Sequence, residues 1–139
     1  MRNGDGPPAE ASQGLRAVGI SASFTASDLG SSLRFYTEGL GFEVEDRVED
    51  GGAVRFVMLR AGEARIGIGQ DDFAKGRDRV KGVGMRIWIS TDQDLEALAS
   101  RFRAAGFTPD FGPEPLPWGP LALGVSDPDG FHLTIAHNE

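Results

Sequence analysis

The chain states one pattern twice, about 65 residues apart. Gly19-Ile20-Ser21-Ala22-Ser23-Phe24-Thr25-Ala26 returns as Gly84-Met85-Arg86-Ile87-Trp88-Ile89-Ser90-Thr91. Each copy then runs through a helical stretch to Gly-Phe, at Gly41-Phe42 and again at Gly106-Phe107. A module used twice builds two similar halves, and the usual place for a site is between them. Residues at equivalent positions can therefore be compared.

Alternation in the first copy predicts a strand with Ile20, Ala22, Phe24 and Ala26 on one face and Ser21, Ser23 and Thr25 on the other. Asp28 stands at an N-cap position before Leu29, Leu33 and Tyr36 at helical spacing, and Gly39 and Gly41 stop the helix. A second strand begins at Phe42 to Glu45. Asp50-Gly51-Gly52 is a hairpin turn into a third strand, Ala53 to Leu59, and Ala61-Gly62 turns into a fourth, Arg65 to Gly69. The segment Gln70 to Gly82 is polar and reads as a linker.

In the second copy Met85, Ile87 and Ile89 oppose Arg86, Trp88 and Ser90. Thr91 is the expected N-cap, with Asp94 near a capping-box position, ahead of a buried stripe of Leu95, Leu98, Ala99 and Phe102. Strands are expected at Phe107 to Phe111, Leu121 to Val125 and Phe131 to Ala136, the last entered by the turn Asp127-Pro128-Asp129-Gly130. Pro113, Pro115, Pro117 and Pro120 make the stretch around Trp118 irregular. The reading is an α+β fold of two tandem β-α-β-β-β modules, with eight strands and two helices. A flexible N-terminal tail covers 1–16 and a single domain 17–139, divided into module 1 at about 17–70, a linker at about 71–82 and module 2 at about 83–138.

With 139 residues, 40% apolar and 25% charged, the chain has enough material for one cored domain. A net charge of −7 argues against a nucleic-acid partner, which needs clustered Lys and Arg. No apolar stretch approaches the ~20 residues of a membrane span, so no membrane partner is expected. There is no cysteine, hence neither disulfide nor thiolate. The acidic, Gly/Pro-rich start is unlike a signal peptide, and a cytoplasmic protein is expected.

The residues also resemble a known family. Asp28-Leu29 with Ser32, Phe35-Tyr36 and Leu40-Gly41-Phe42 is similar to the first-module signature of the vicinal oxygen chelate superfamily, and Asp127-Pro128-Asp129-Gly130 before an alternating strand is similar to its closing signature. The resemblance spans roughly Leu15 to His137. It implies curved mixed sheets around a central cleft, usually completed by a homodimer. The superfamily includes glyoxalase I, extradiol dioxygenases, fosfomycin-modifying thiol transferases, epimerases and metal-free bleomycin-binding resistance proteins.

Metal-dependent members place His, Gln or Glu on the first and last strands of each module. Carried over through the repeat, those four seats fall on Ser21, Gly67, Arg86 and Thr134. Glycine has no donor, arginine brings a cation, and the hydroxyls are weak neutral ligands, whereas a divalent ion wants imidazole and carboxylate. The only histidines are His132 and His137, five apart and so on opposite faces of a strand. No metal and no other cofactor is expected.

By strand parity the cleft face carries Ser21, Ser23, Thr25, Arg65, Gly67, Gly69, Arg86, Trp88, Ser90, His132 and Thr134. Trp88 either stacks on a ligand or caps the core. Arg86 either holds a carboxylate, phosphate or enolate or pairs with a neighbouring acid. His132 is a general base or simply a hydrogen-bonded strand residue. Trp118 is a lid or a dimer contact. The ligand-binding candidates are therefore Ser21, Ser23, Arg65, Arg86, Trp88, Trp118, His132 and Thr134, with no catalytic residue assigned. Phe35 and Tyr36 read as core, Asp127 and Asp129 as turn formers, and no Ser-His-Asp arrangement is evident.

Three functions remain open at this point. The first is metal-free binding of a small organic molecule with a conjugated part, as in antibiotic sequestration. The second is a lyase, isomerase or dioxygenase of the glyoxalase type, and the third a non-catalytic regulatory domain. Fold alone does not choose among them.

Overall fold

The structure, a computed structural model, describes residues 14–137. Most of the expected flexible tail over 1–16 lies outside the described residues. The repeat folds as two four-stranded sheets, ordered β1-β4-β3-β2 and β5-β8-β7-β6. In the first, β1 (Ala22–Ala26) pairs parallel with β4 (Ala64–Gln70), which runs antiparallel to β3 (Ala53–Ala61), itself antiparallel to β2 (Glu43–Asp50). The second repeats this with β5 (Arg86–Thr91), β8 (His132–His137), β7 (Leu121–Ser126) and β6 (Phe111–Pro115). The fold is α+β, built from two tandem β-α-β-β-β modules, as expected. Ser23 opposes Gly67 in one parallel ladder and Trp88 opposes Thr134 in the other, so the repeat's register holds.

Asp28 caps the first helix, α1 (Leu29–Arg34), accepting from the Gly30 N–H at 3.2 Å. The helix continues as a π-helical turn over Phe35–Gly39, closed by Leu40 N–H donating to the Phe35 carbonyl. Adjacent Phe35 and Tyr36 are both buried there. Phe35 packs edge-on against Phe102 and Phe107 of the second module, while Tyr36 donates to Asp127 Oδ2 at 2.9 Å. Gly39 packs closely at this seam, where a Cβ would sit 3.1 Å from the Phe102 and Phe107 rings.

Phe24 and Phe131 stack across the modules at 4.2 Å, and one apolar cluster includes both sheets' inner faces. The inner faces present Phe24, Val57, Leu59, Ile66 and Ile68 on one side and Leu123, Val125, Leu133 and Ile135 on the other. The linker docks tightly onto this seam. Lys81, its side chain 2% exposed, reaches Asp71 at 3.0 Å and the Ser27 hydroxyl at 2.9 Å; Ser27 in turn donates to Asp129. Asp127 and Asp129 therefore form more than a turn: each carboxylate also joins module 2 to module 1.

Three local expectations are corrected. Asp94, not Thr91, caps α2 (Leu95–Ala104), accepting from the Glu96 and Ala97 N–H groups; Thr91 stays in β5 and its hydroxyl accepts from Gln93 N–H. The sixth strand is Phe111–Pro115, not Phe107 to Phe111, because the ladder starts only after Asp110 N–H reaches the Gly124 carbonyl. Its two prolines are tolerated because β6 is the sheet's edge. Ile20 precedes β1 and is 95% exposed, so it does not extend that strand's buried face.

Candidate functional site

Strand alternation gives each sheet a second, polar face turned away from the core. On sheet 1 that face carries Ser23, Thr25, Gly67 and Gly69, with Phe56 and Met58 opposite the glycines on β3. The Phe56 ring lies over Gly67 so closely that a Cβ there would meet Cζ at 2.5 Å. On sheet 2 the face carries Arg86, Trp88, His132 and Thr134, with Gly124 and Ser126 on β7. Phe111 covers Gly124 in the same manner. Among the described residues no hydrogen bond, ion pair or aromatic contact joins one polar face to the other.

A groove of about 1030 Å3 runs between the modules instead, along the free edge of β5. Its apolar lining includes Phe42, Ile66, Ile87, Ile89, Leu98 and Ile135. Of the predicted site residues it gathers Ser21, Arg65, Arg86 and Trp88. Ser23, His132, Thr134 and Trp118 do not line it. Arg86 and Trp88 thus belong both to the groove's lip and to the polar face of sheet 2.

The two arginines differ. Arg65 grips the Glu45 carboxylate with Nε at 2.8 Å and Nη2 at 3.0 Å. Those hydrogen bonds hold Glu45 below the ordinary carboxylate range and raise Arg65 above the usual guanidinium value. Arg86 donates through Nη1 to Thr134 Oγ1 at 3.0 Å and has no ion pair among the described residues. A guanidinium carries five N–H donors, so four remain for another acceptor.

Trp88 is 53% exposed and Trp118 67%, with ring centroids 6.0 Å apart and planes inclined at 41°. Trp118 comes from the loop between β6 and β7, which folds back far enough to meet the β5 edge strand. Two large exposed aromatics brought together in this way form an unusual apolar patch on a polar face. Sequence reasoning named both but could not bring them together. It missed Asp110 and Ser126: the Ser126 hydroxyl bonds both Asp110 and His132 Nδ1. The alternation of β7 places Ser126 on this face; Asp110 was obscured by the misplaced sixth strand.

A profile of the glyoxalase/bleomycin resistance protein/dioxygenase superfamily matches residues 20–135. The chain belongs to that superfamily. No curated relative matches its sequence significantly. Among solved structures it is similar to a virulence protein of Salmonella typhimurium, with TM-score 0.65 and 23% identity over 90% of this chain and 100% of that one. TnmS3, an antibiotic binding protein from Streptomyces sp. CB03234, gives TM-score 0.66 and 21% identity over 91% and 100%. TioX from Micromonospora sp. ML1 gives 0.68 and 17% over 87% and 99%. These likenesses establish a shared fold. No helix among the described residues is long and apolar enough to cross a membrane.

The metal site that superfamily enzymes use does not fit the residues present at its four equivalent positions. Thr134 is 1% exposed beneath the Arg86 guanidinium, and the Phe56 ring occupies the space above Gly67. A cation bonded across one pair of seats and a hydrocarbon ring over another offer nothing to a divalent ion. Among the described residues no group of three His, Asp or Glu side chains is gathered to replace them.

Proposed function

We propose that this protein binds, without a metal, a small organic molecule having a conjugated ring and an anionic or strongly polarised oxygen. The ring lies against Trp88 and Trp118, and Arg86 takes the oxygen. What carries the reading is the pairing of two exposed indoles beside a guanidinium that has no carboxylate partner among the described residues. Indole faces supply stacking area, while a lightly hydrated, planar guanidinium suits an oxyanion. The likeness to TnmS3, an antibiotic binding protein, supports small-molecule binding.

The ligand's second wall comes from another copy of the chain, so the working unit is a homodimer. The reason is geometric: among the described residues no hydrogen bond, ion pair or aromatic contact joins the polar face of sheet 1 to that of sheet 2. Arg65, committed to Glu45, serves as a charged rim and not as the primary anchor.

The test is a chemically diverse panel of ring-bearing ligands read by thermal shift, followed by affinities for the best binders. Trp88→Ala weakens their binding at least tenfold, about 1.4 kcal/mol. Unchanged affinity removes the stacking claim. Titration of the purified protein with zinc, nickel, iron and manganese leaves no stoichiometric ion in the cleft; a retained ion displaced only by a chelator transfers the protein to the metal-dependent enzymes.

A further inference from the structure

Beside the indole pair, three polar side chains on the second sheet form a single chain. Ser126 Oγ lies 2.5 Å from Asp110 Oδ2 and 2.7 Å from His132 Nδ1, while Nδ1 stands 3.9 Å from the carboxylate itself. A serine hydroxyl has one proton to give, and an ionised carboxylate can only accept. Ser126 therefore donates to Asp110, and its oxygen accepts from the Nδ1–H of His132. That fixes the imidazole tautomer and leaves Nε2 with a bare lone pair. The His132 side chain is 41% exposed, and among the described residues no hydrogen bond or ion pair engages Nε2.

The neighbouring acids are otherwise engaged. Asp127 and Asp129, in the turn before β8, serve Tyr36 and Ser27. Arg86 faces His132 across the parallel ladder but bonds Thr134. Asp110 is the one carboxylate tied to His132 among the described residues.

We propose that His132 Nε2 is a proton-accepting site for a weakly acidic ring-bearing ligand, a phenol or an enol. Ser126 and Asp110 are its positioning residues. This rests on the ligand-binding reading above and narrows it to a chemical class. The ligand's O–H bond breaks, its proton goes to Nε2, and its oxygen keeps the electron pair and turns to the Arg86 guanidinium. The imidazolium so formed donates its Nδ1–H into the Ser126–Asp110 chain, whose negative end offsets the new charge.

Two measurements on the full chain test this. The probe is 4-nitrophenol, whose absorption separates phenol from phenolate and whose binding is read independently by quenching of tryptophan fluorescence. In the wild type, bound probe is more ionised than free probe at the same pH near neutrality. In His132→Gln the bound phenolate-to-phenol ratio falls at least tenfold while quenching persists, and Ser126→Ala gives a smaller fall. Quenching with an unchanged ratio in His132→Gln overturns the proton acceptor and leaves the binding reading standing. No quenching in the wild type, with other ring compounds still bound, overturns the phenol class alone; no ring compound bound at all removes both. Nitrogen-15 spectra of the imidazole provide the ligand-free measurement, assigned by the loss of one of two histidines in His132→Gln. Neutral His132 carries its proton on Nδ1, and Ser126→Ala relaxes it to a mixture. A proton resident on Nε2 in the wild type sinks the proposal.

Discussion

Tyr36 has no exposed surface, and its hydroxyl gives Asp127 Oδ2 a donor at 2.9 Å across the module seam. The other carboxylate oxygen accepts from the Asp129 and Phe131 N–H groups. Burial pushes Asp127 above the ordinary carboxylate range, with these three donors opposing the shift. The folded protein therefore holds that proton more tightly than the unfolded chain. Asp127's contribution is most favourable below the unfolded pKa and declines as pH rises through the folded one. Tyr36→Phe leaves a buried carboxylate oxygen without its donor and costs about 1–3 kcal/mol at pH 7. The loss is smaller near pH 3, where Asp127 is protonated in both states. Denaturant unfolding at the two pH values measures the difference; an equal loss at both contradicts an ionised Asp127. At this scale the sequence was partly readable. Periodicity identified Tyr36 as core and parity identified Arg86 and Trp88, yet nothing in a linear pattern pairs Tyr36 with Asp127, 91 positions away. Phe56 was equally invisible: only the β3–β4 register reveals that its ring fills the space above Gly67.

Elements follow local chemistry wherever that chemistry is self-sufficient. The N-cap Asp28 and the Gly51-Gly52 turn need no distant partner, and each forms where its residues predict. Failure came where tertiary contacts decide. Thr91 was the expected cap of α2, but Asp94, three residues on, takes two backbone N–H groups while Thr91 remains in a parallel ladder with His137. The proline-rich sixth strand is permitted only by its edge position, which is a property of the sheet and not of the segment. The π-helical turn is a third instance, since it places Phe35 and Tyr36 against different parts of the other module. Its last residue, Gly39, is pressed against α2. Gly39→Ala adds a methyl 3.1 Å from two aromatic rings that are themselves closely packed, and overpacking of this sort costs about 1–3 kcal/mol. The change is read as a lower denaturation midpoint with an unchanged slope. A gain in stability, as expected from a helical glycine replaced in open space, contradicts the close packing.

On the scale of the whole molecule, the repeat reveals which surfaces remain unused. The helices and the Phe24–Phe131 stack join the modules through their inner faces, leaving both polar faces outward and β5 with a free edge along the groove. The sequence disclosed that two modules exist and which residues are equivalent. It could not disclose that, among the described residues, no hydrogen bond, ion pair or aromatic contact joins the equivalent polar faces, because that depends on how the helices dock. Ile20 and Met85 occupy equivalent positions just ahead of β1 and β5, and they are 95% and 39% exposed. Large apolar side chains exposed at matching points beside an apolar groove are a cost to a monomer and an asset to an assembly. If two copies close the cleft, these positions become covered. Sedimentation then shows a dimer for the wild type, and Ile20→Glu with Met85→Glu shifts it toward monomer by at least tenfold in dissociation constant. Neither side chain belongs to the buried cluster, so the thermal unfolding of the resulting monomer stays cooperative. Ring-ligand affinity falls with the dimer, because Trp88 and Trp118 lose the opposing wall. A wild type that sediments as a monomer while binding ring compounds tightly restricts the site to the groove and the single polar face of sheet 2.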